Sequence, residues 1–145
     1  MTNKGTKALE YNVRFGDPET QSILVRLETD FVDICEAMLS GTLDKLDIRW
    51  HQGSSATVVL AAKGYPQSPE KGDLISGVEE ASNVDGVTIF HAGTGMAEGN
   101  YVTAGGRVLG VTAVSDDLKA ALRSAYSAVH KISWNGMQYR RDIGV

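Results

Sequence analysis

The sequence predicts an α+β fold in which a strand–helix–helix unit over residues 1–45 precedes an antiparallel, β-rich module with one long helix. Apolar residues recur at helical spacing twice in the first unit and once near the end of the chain. Between them, period-two and β-branched runs alternate with glycine and proline. With 145 residues, one domain is the ordinary expectation.

In the first unit, residues 8–13 alternate as a strand, with Leu9, Tyr11 and Val13 on one face and Glu10 and Asn12 on the other. Asp17 suits a helix N-cap and Pro18 the first helical position, which predicts a helix over 18–27. Its inward residues are Ile23, Leu24 and Leu27.

A second helix is predicted over 31–39, with Asp30 as N-cap and Gly41 as the stop signal. Its apolar stripe includes Cys35, which is interpreted as a core residue rather than a reactive thiol. The stripe consists of Phe31, Ile34, Cys35, Met38 and Leu39.

The β-rich module is predicted to contain strands over 48–51, 56–63, 84–91, 101–103 and 107–114. The strand over 56–63 is apolar on both faces and is therefore predicted to be central. Gly105-Gly106 is predicted as a tight hairpin turn, and the glycines from Gly93 to Gly99 as a hairpin loop. A helix over 116–131, capped by Ser115 or Asp116, buries Leu118, Ala121, Leu122, Ala125 and Val129. Residues 138–142 form an edge strand or a loop.

Composition narrows the possible functions. A net charge of −4 offers no basic surface for generic nucleic-acid binding and no attraction to an anionic membrane. No apolar run is long enough to span a bilayer, and the first residues do not resemble a secretory signal. The single cysteine excludes an intramolecular disulfide and a cysteine-based zinc site. We therefore expect a cytoplasmic protein without nucleic-acid or membrane partners.

One polar constellation could carry chemistry. On the predicted strand, Glu10, Asn12 and Arg14 share a face. A carboxylate and an amide oxygen suit Mg²⁺, and a neighbouring guanidinium suits phosphate, as ATP-dependent phosphoryl transfer requires. The same residues also fit a solvated polar face, with Asp17 acting only as a helix cap. The residues alone leave both interpretations open.

His91 precedes a glycine-containing loop, Ala92-Gly93-Thr94-Gly95. It could be a general base of a small hydrolase, or a hydrogen-bonded histidine at the end of a strand. The second interpretation is favoured, because no nucleophile–base pair has a suggestive spacing.

The segment Glu10-Tyr11-Asn12-Val13-Arg14-Phe15-Gly16-Asp17-Pro18-Glu19-Thr20-Gln21 closely resembles a signature of the phosphoribosylamine–glycine ligase family. The resemblance continues in order to the end of the chain. Its later blocks are Ala61-Ala62-Lys63-Gly64-Tyr65-Pro66, Glu70-Lys71-Gly72-Asp73, Phe90-His91-Ala92-Gly93-Thr94, Gly106-Arg107-Val108-Leu109-Gly110-Val111 and Tyr139-Arg140-Arg141-Asp142-Ile143-Gly144.

The resemblance implies an ATP-grasp enzyme of purine biosynthesis. It joins 5-phosphoribosylamine to glycine with ATP, through an acyl phosphate of glycine. The family's metal-binding glutamate and asparagine match Glu10 and Asn12, which would hold Mg²⁺ or Mn²⁺. The motif's arginine matches Arg14, assigned to contact with the phosphate or acyl phosphate. Asp17 and Glu19 are assigned to the glycine or phosphoribosylamine site.

The resemblance also implies a division of the chain. Residues 1–45 correspond to the closing strand and helices of the ATP-grasp domain, and 46–145 to a barrel-sandwich-like C-terminal domain. The family's N-terminal substrate domain and most of the ATP site have no counterpart here. The chain is therefore expected to be a fragment that is inactive alone and works with the rest of the ligase chain. The alternative is a non-catalytic interaction module, or a split subunit that completes an ATP-grasp partner in trans.

Overall fold

The computed structural model describes residues 5–8 and 10–144. The helices are α1 (Glu19–Leu24), α2 (Phe31–Leu39), α3 (Val78–Ser82) and α4 (Leu118–Val129). The strands are β1 (Ser54–Ala61), β2 (Val87–His91), β3 (Thr94–Ala97), β4 (Asn100–Thr103) and β5 (Arg107–Ser115). We call the described residues before β1 the lead-in, and residues 54–144 the body. None of the described helices has the length and apolarity needed to cross a membrane.

The body is built on an antiparallel sheet with strand order β1-β5-β2. Val111 of β5 lies opposite Val58 of β1 and Ile89 of β2. These side chains point towards α4, which packs on this face through Ala121, Ala125, Ala128 and Val129, all fully buried. The small alanine side chains let the helix axis approach the sheet closely. The mixed fold with antiparallel sheets was therefore predicted, but the central strand is β5 and not the one over 56–63.

The opposite face of the sheet is partly covered by α1. A chain of hydroxyl groups joins the two, since Ser22 Oγ and Thr112 Oγ1 each lie 2.7 Å from Thr57 Oγ1. Ser55 Oγ also donates to the carbonyl of Ser22, at 2.6 Å. The polar residues of this face therefore hold the lead-in to the body, while the apolar face carries the core.

Strands β3 and β4 form a separate hairpin. The hairpin loop predicted from Gly93 to Gly99 is therefore shorter than expected, because residues 94–97 form a strand that was not predicted. The turn of the hairpin is made by Glu98 and Gly99, both with positive φ (50° and 79°), as in the turns that match strand twist. The hairpin turn predicted at Gly105-Gly106 is wrong. There, the amides of Ala104 and Gly105 both donate to the carbonyl of Gly93, so the segment crosses the preceding loop instead.

The lead-in differs most from prediction. Described residues 10–13 belong to no strand, and Leu9 lies outside the described residues. An isolated extended segment has no backbone partners to fix it as a strand. Helix α1 begins at Glu19 without a side-chain cap, because the Asp17 carboxylate is hydrogen-bonded by Gln21 and paired with Arg107 instead. The predicted strand over 48–51 is reduced to one bridge between Trp50 and Leu27.

Helix α2 has the predicted bounds, and Asp30 Oδ1 accepts from the amide of Val32 at 2.8 Å. Its apolar stripe, predicted to be buried, is largely exposed: Met38 is 62% and Leu39 91% accessible. Cys35 is half-buried. The stripe has helical periodicity but few contacts among the described residues: α2 packs on a short 3₁₀ turn, Leu43–Lys45, and the Phe31 ring lies 5.4 Å from that of Phe15.

Smaller differences concern the ends of elements. Helix α4 is capped by Asp117, whose carboxylate accepts from the amide of Ala120 at 2.7 Å, and Leu118 is half-exposed rather than buried. Helix α3 was not predicted because its five residues are too few to show a period. Strand β2 begins later than the predicted residue 84, because the amide of Val84 donates to the carbonyl of Ala81 in α3. Residues 138–142 form a loop with one bridge, from Gln138 to Ala61.

Candidate active site

The first three predicted site residues lie on an extended, exposed stretch of the lead-in. The side chains of Glu10, Asn12 and Arg14 are all exposed. Because residues 10–13 form no strand, the predicted common face is not established by backbone pairing. Among the described residues, the Arg14 guanidinium donates only to the neighbouring carbonyl of Phe15, at 3.2 Å. These groups are therefore free to bind a ligand from outside the described residues.

This stretch offers two oxygen ligands for a hard cation, which is fewer than a complete coordination shell. Glu10 offers a carboxylate and Asn12 an amide oxygen, which suit Mg²⁺ when phosphate and water complete its shell. Across the described ranges, no cluster of three or more histidine, cysteine, aspartate or glutamate side chains could hold a metal ion. The role of Glu10 and Asn12 as metal ligands stays a prediction.

The structure brings Asp17 to an arginine that the sequence analysis had not assigned to the site. Arg107, the first residue of β5, donates from Nη1 to the carbonyl of Asp17 at 2.8 Å. Its Nη2 lies 3.2 Å from the Asp17 carboxylate, and both side chains are about half-exposed. Arg107 thus binds both the backbone carbonyl and the carboxylate of Asp17, and these contacts hold the lead-in against the sheet.

Glu19 folds back over the preceding turn. Its carboxylate lies against Gly16, where an added Cβ would collide with the Glu19 side chain. Gly16 is buried, and its carbonyl accepts from the amide of Thr20 at 3.0 Å. Asp17 and Glu19 therefore surround one tight turn, whereas no contact joins them to Glu10 or Asn12 among the described residues.

The backbone beneath Arg107 is held by close packing of glycines. The amide of Gly93 donates to the carbonyl of Arg107 at 2.8 Å. An added Cβ on Gly93 would lie 2.6 Å from the Cα of Gly105, and one on Gly106 would lie 2.5 Å from the Tyr65 ring. Such distances are too short for any side chain. Gly93 therefore packs against Gly105, and Gly106 against Tyr65, and these contacts fix the start of β5.

A groove opens between the lead-in and the sheet. It has a volume of about 400 Å³ and is lined by Phe15, Gly16, Asp17, Thr20, Gln21, Leu24 and Phe90. Gln21 donates from Nε2 to the Asp17 carboxylate at 3.1 Å, but its buried Oε1 has no hydrogen-bond partner. A buried acceptor without a donor is costly. The groove therefore offers the Phe15 and Phe90 rings and the Asp17 carboxylate to a ligand, whereas the Gln21 oxygen is enclosed within its wall.

A neighbouring ion pair closes the loop after β1. Lys63 Nζ lies 2.9 Å from the Glu70 carboxylate, and this hydrogen bond and charge raise the pKa of the ammonium above its ordinary value. Both side chains are half-exposed, so the pair contributes little to stability. It holds the 64–69 loop close to Gly106.

His91 has a structural explanation. Its Nδ1 lies 3.0 Å from the Thr94 hydroxyl, and its ring lies 4.7 Å from that of Tyr101, centroid to centroid. These contacts tie the end of β2 to the β3–β4 hairpin. They support the interpretation of a hydrogen-bonded strand-end histidine.

Arg107 and Gln21 were not predicted as site residues. Arg107 had a signal, because it directly follows two glycines at the start of a strand. Gln21 had none, since its unpartnered oxygen depends on a groove formed by the sheet and the lead-in. By fold and site, the chain is an α+β domain in which a body with a buried core holds an exposed lead-in through Arg107 and the hydroxyl contacts of α1.

Comparison with known proteins identifies the family. Residues 55–145 match the model of the phosphoribosylglycinamide synthetase C domain. The chain is 50% identical over 95% of its length to a phosphoribosylamine–glycine ligase of Pseudomonas aeruginosa, and 51% identical over 95% to a chloroplastic one of Arabidopsis thaliana. A crystal structure of the Thermotoga maritima ligase superposes over 92% of the chain, with a TM-score of 0.77 and 38% identity.

The chain therefore belongs to the phosphoribosylglycinamide synthetase C-domain family. It spans 32% of the P. aeruginosa relative, 26% of the A. thaliana relative and 32% of the T. maritima chain. It thus corresponds to about a third or less of each of these proteins.

Proposed function

We propose that the chain supplies the C-terminal part of an ATP-dependent phosphoribosylamine–glycine ligase of purine biosynthesis, acting in the cytoplasm. The observation that carries this proposal is the 50% identity over 95% of the chain to a protein of that name. In this reaction the γ-phosphoryl group of ATP is transferred to the carboxylate of glycine. The amine of 5-phosphoribosylamine then attacks the acyl carbon, and phosphate leaves, giving the amide, ADP and phosphate.

Within this reaction, Glu10 and Asn12 would hold Mg²⁺ or Mn²⁺ on the lead-in, and an ion held there would supply positive charge opposite the phosphate groups. Arg14 contacts the phosphate or the acyl phosphate, since its guanidinium has no carboxylate partner among the described residues. The exposure of all three side chains supports this, because each is open to groups supplied by the rest of the ligase.

Asp17 and Glu19 contact glycine or phosphoribosylamine, Asp17 from the groove that it lines and Glu19 from the adjoining turn. The half-exposed Asp17 carboxylate supports this assignment, because both substrates carry N–H or O–H donors. Arg107 acts as a positioning residue, which holds Asp17 in place by two contacts.

Residues 1–45 form the closing edge of the ATP-grasp domain, and 46–145 form the C-terminal domain, whose barrel-sandwich-like architecture stays a prediction. The exposed apolar residues of α2 support this division. Burial of such residues against the rest of the ligase removes them from water, at about 25 cal/mol per Å². The isolated chain is expected to be inactive.

A chimeric ligase tests this proposal. In it, the matched 138 residues of the P. aeruginosa enzyme are replaced by the corresponding part of this chain. ADP release that requires both glycine and phosphoribosylamine is the expected result. Glu10→Gln in the chimera should lower the rate by about 100-fold or more, because a charged metal ligand is lost.

The control is Glu28→Gln, which makes the same charge change at a surface carboxylate paired with Arg49. It should leave turnover within about twofold, as expected for exposed ion pairs. A folded chimera without ligation would overturn the proposed function. Full activity of the Glu10→Gln chimera would remove the metal assignment alone.

A second candidate, a split subunit that works in trans, is favoured by the same unpartnered α2 face. Mixing the isolated chain with a P. aeruginosa enzyme that lacks the matched region should then restore ligation. If ligation were not restored at high concentration of both proteins, the split-subunit hypothesis would be rejected. The hypothesis of one continuous ligase chain would remain.

A further inference from the structure

The outer side of α4 has a charge distribution unlike that of the rest of the chain. Residues 118–141 contain five of the fourteen lysines and arginines and no aspartate or glutamate, although the chain carries a net charge of −4. Lys119, Arg123, Ser127 and His130 follow one another at spacings of four, four and three. They therefore form one stripe along the helix, away from its buried alanines.

Four cations on α4 and on the segment that follows it have no carboxylate partner among the described residues. Lys119, Arg123, Lys131 and Arg141 form no ion pair with a carboxylate in the part of the chain that the structure describes. The two acids that border this segment have other partners: Asp117 accepts from the amide of Ala120 at 2.7 Å, and Asp142 is bound by Arg140 through hydrogen bonds of 2.8 and 2.6 Å. A positive surface without internal counter-charge attracts anions.

Beside this stripe lies a groove with aromatic walls. It has a volume of about 390 Å³ and is lined by Tyr126, His130, Tyr139 and Arg141. A second groove shares Tyr126 and His130 and continues along α4 to Arg123 and Lys119. The first volume lies in the range of about 300–1,000 Å³ that is usual for small-molecule sites.

The walls of the groove are held in place by the fold. The Tyr126 hydroxyl donates to the carbonyl of Arg140 at 2.9 Å and accepts from the amide of Ile143 at 3.2 Å. The Tyr126 and Tyr139 rings lie 6.5 Å apart, and the Arg141 guanidinium lies 5.6 Å from the centre of the Tyr139 ring. Since the Tyr126 hydroxyl is engaged, the groove offers ring surface, a guanidinium and an imidazole.

We propose that this groove is a binding site for a phosphate ester that carries an aromatic ring, such as a nucleoside diphosphate. Arg141 and His130, with Arg123 along the helix, would receive the phosphate groups, and the tyrosine rings would receive the aromatic ring. The site lies on α4 and the 139–141 segment, whereas the candidate active site lies on the lead-in and the start of β5. The proposal does not rest on the proposed ligase function.

Titration of the 145-residue chain with ADP, followed by amide NMR in a chelating, metal-free buffer, tests the proposal. We expect saturable shifts at residues 119–130 and 139–141, with a dissociation constant on the order of 0.1–1 mM. Arg141→Gln should weaken binding by about tenfold, since a charge-assisted contact is lost. Arg141 is exposed, so its replacement leaves the core intact.

The matched control is Arg140→Gln, which removes the same charge at the adjacent residue, where the guanidinium is occupied by Asp142. It should leave ADP affinity within about twofold. If both variants weakened ADP binding equally, net charge alone would explain the loss, and the proposal would be overturned. Inorganic phosphate binding as tightly as ADP would overturn the role of the aromatic walls.

Shifts confined to the lead-in, or no saturable shifts, would overturn the site itself. Failure of this site and failure of the ligase assignment are separable, because ADP binding is measured on the chain itself and ligation on the chimera. An inactive chimera with intact ADP binding would reject only the ligase, and an active chimera without ADP binding only this groove.

Discussion

The lead-in and the body have similar apolar patterns but opposite burial. Of the eighteen buried hydrophobic residues in the described part of the chain, seventeen belong to the body, and the exception is Ala37. Of sixteen exposed large hydrophobic residues, eleven belong to the much shorter lead-in. Helical periodicity is therefore sufficient to form α2 but does not supply a surface to bury it. The difference indicates that the lead-in needs a partner that the body cannot provide.

Matched truncations of leucine should show the largest difference between the two regions. Leu60 is fully buried in β1, whereas Leu39 at the end of α2 is 91% exposed. Leu60→Ala should lower the free energy of unfolding by about 2–5 kcal/mol, because it removes core contacts and leaves a cavity. Leu39→Ala should change it by less than about 0.5 kcal/mol. Urea unfolding measures both, and similar losses would contradict the comparison.

Two aspartate caps provide the next test. Asp117 caps α4, which packs on the core, and Asp30 caps α2, which does not. Asp117→Ala should lower global stability by about 1 kcal/mol, the usual cost of losing a cap. Asp30→Ala should instead fray α2 locally, with a change in its Cα chemical shifts and little change in the unfolding midpoint. An equal loss of global stability in Asp30→Ala would mean that α2 unfolds together with the body.

A smaller effect is expected where the two regions meet. Asp17→Asn removes the charge held by Arg107, and Arg107→Gln removes its partner. A double-mutant cycle should give a coupling energy of about 0.2–1 kcal/mol, because both side chains are half-exposed. In the chimeric ligase, the loss of turnover caused by Asp17→Asn, expressed as a free energy, should exceed the loss in free energy of unfolding. A coupling energy near zero would show that the contact does not hold the lead-in.

The smallest effect concerns pH. Hydrogen bonding from Arg140 lowers the pKa of the Asp142 carboxyl below its ordinary value, and both groups are exposed. The ionised form is therefore favoured in the folded state. Its contribution is present above the unfolded pKa and is lost as pH falls through the lower folded pKa. NMR titration should show the pKa of Asp142 rising in Arg140→Gln, and an unchanged pKa would contradict the pairing.

Sequence could predict β1, β5 and α4 of the body, because local pattern encodes these elements, but not α3, β3 or which strand is central. The bounds of α2 and the cap at Asp30 were also predictable, since both depend on neighbouring residues. The strand at 8–13 was not, because a strand requires backbone partners that lie outside the segment. The Asp17–Arg107 contact was also beyond reach, because it joins residues ninety positions apart.

We propose that α2 and the segment before it are stabilised by the remainder of a ligase chain. Hydrogen exchange of residues 31–39, compared between the isolated chain and the P. aeruginosa chimera, tests this most directly. We expect fast exchange in the isolated chain and protection higher by about 100-fold or more in the chimera, while β5 amides are protected in both. Equal protection of α2 in the two proteins would contradict it.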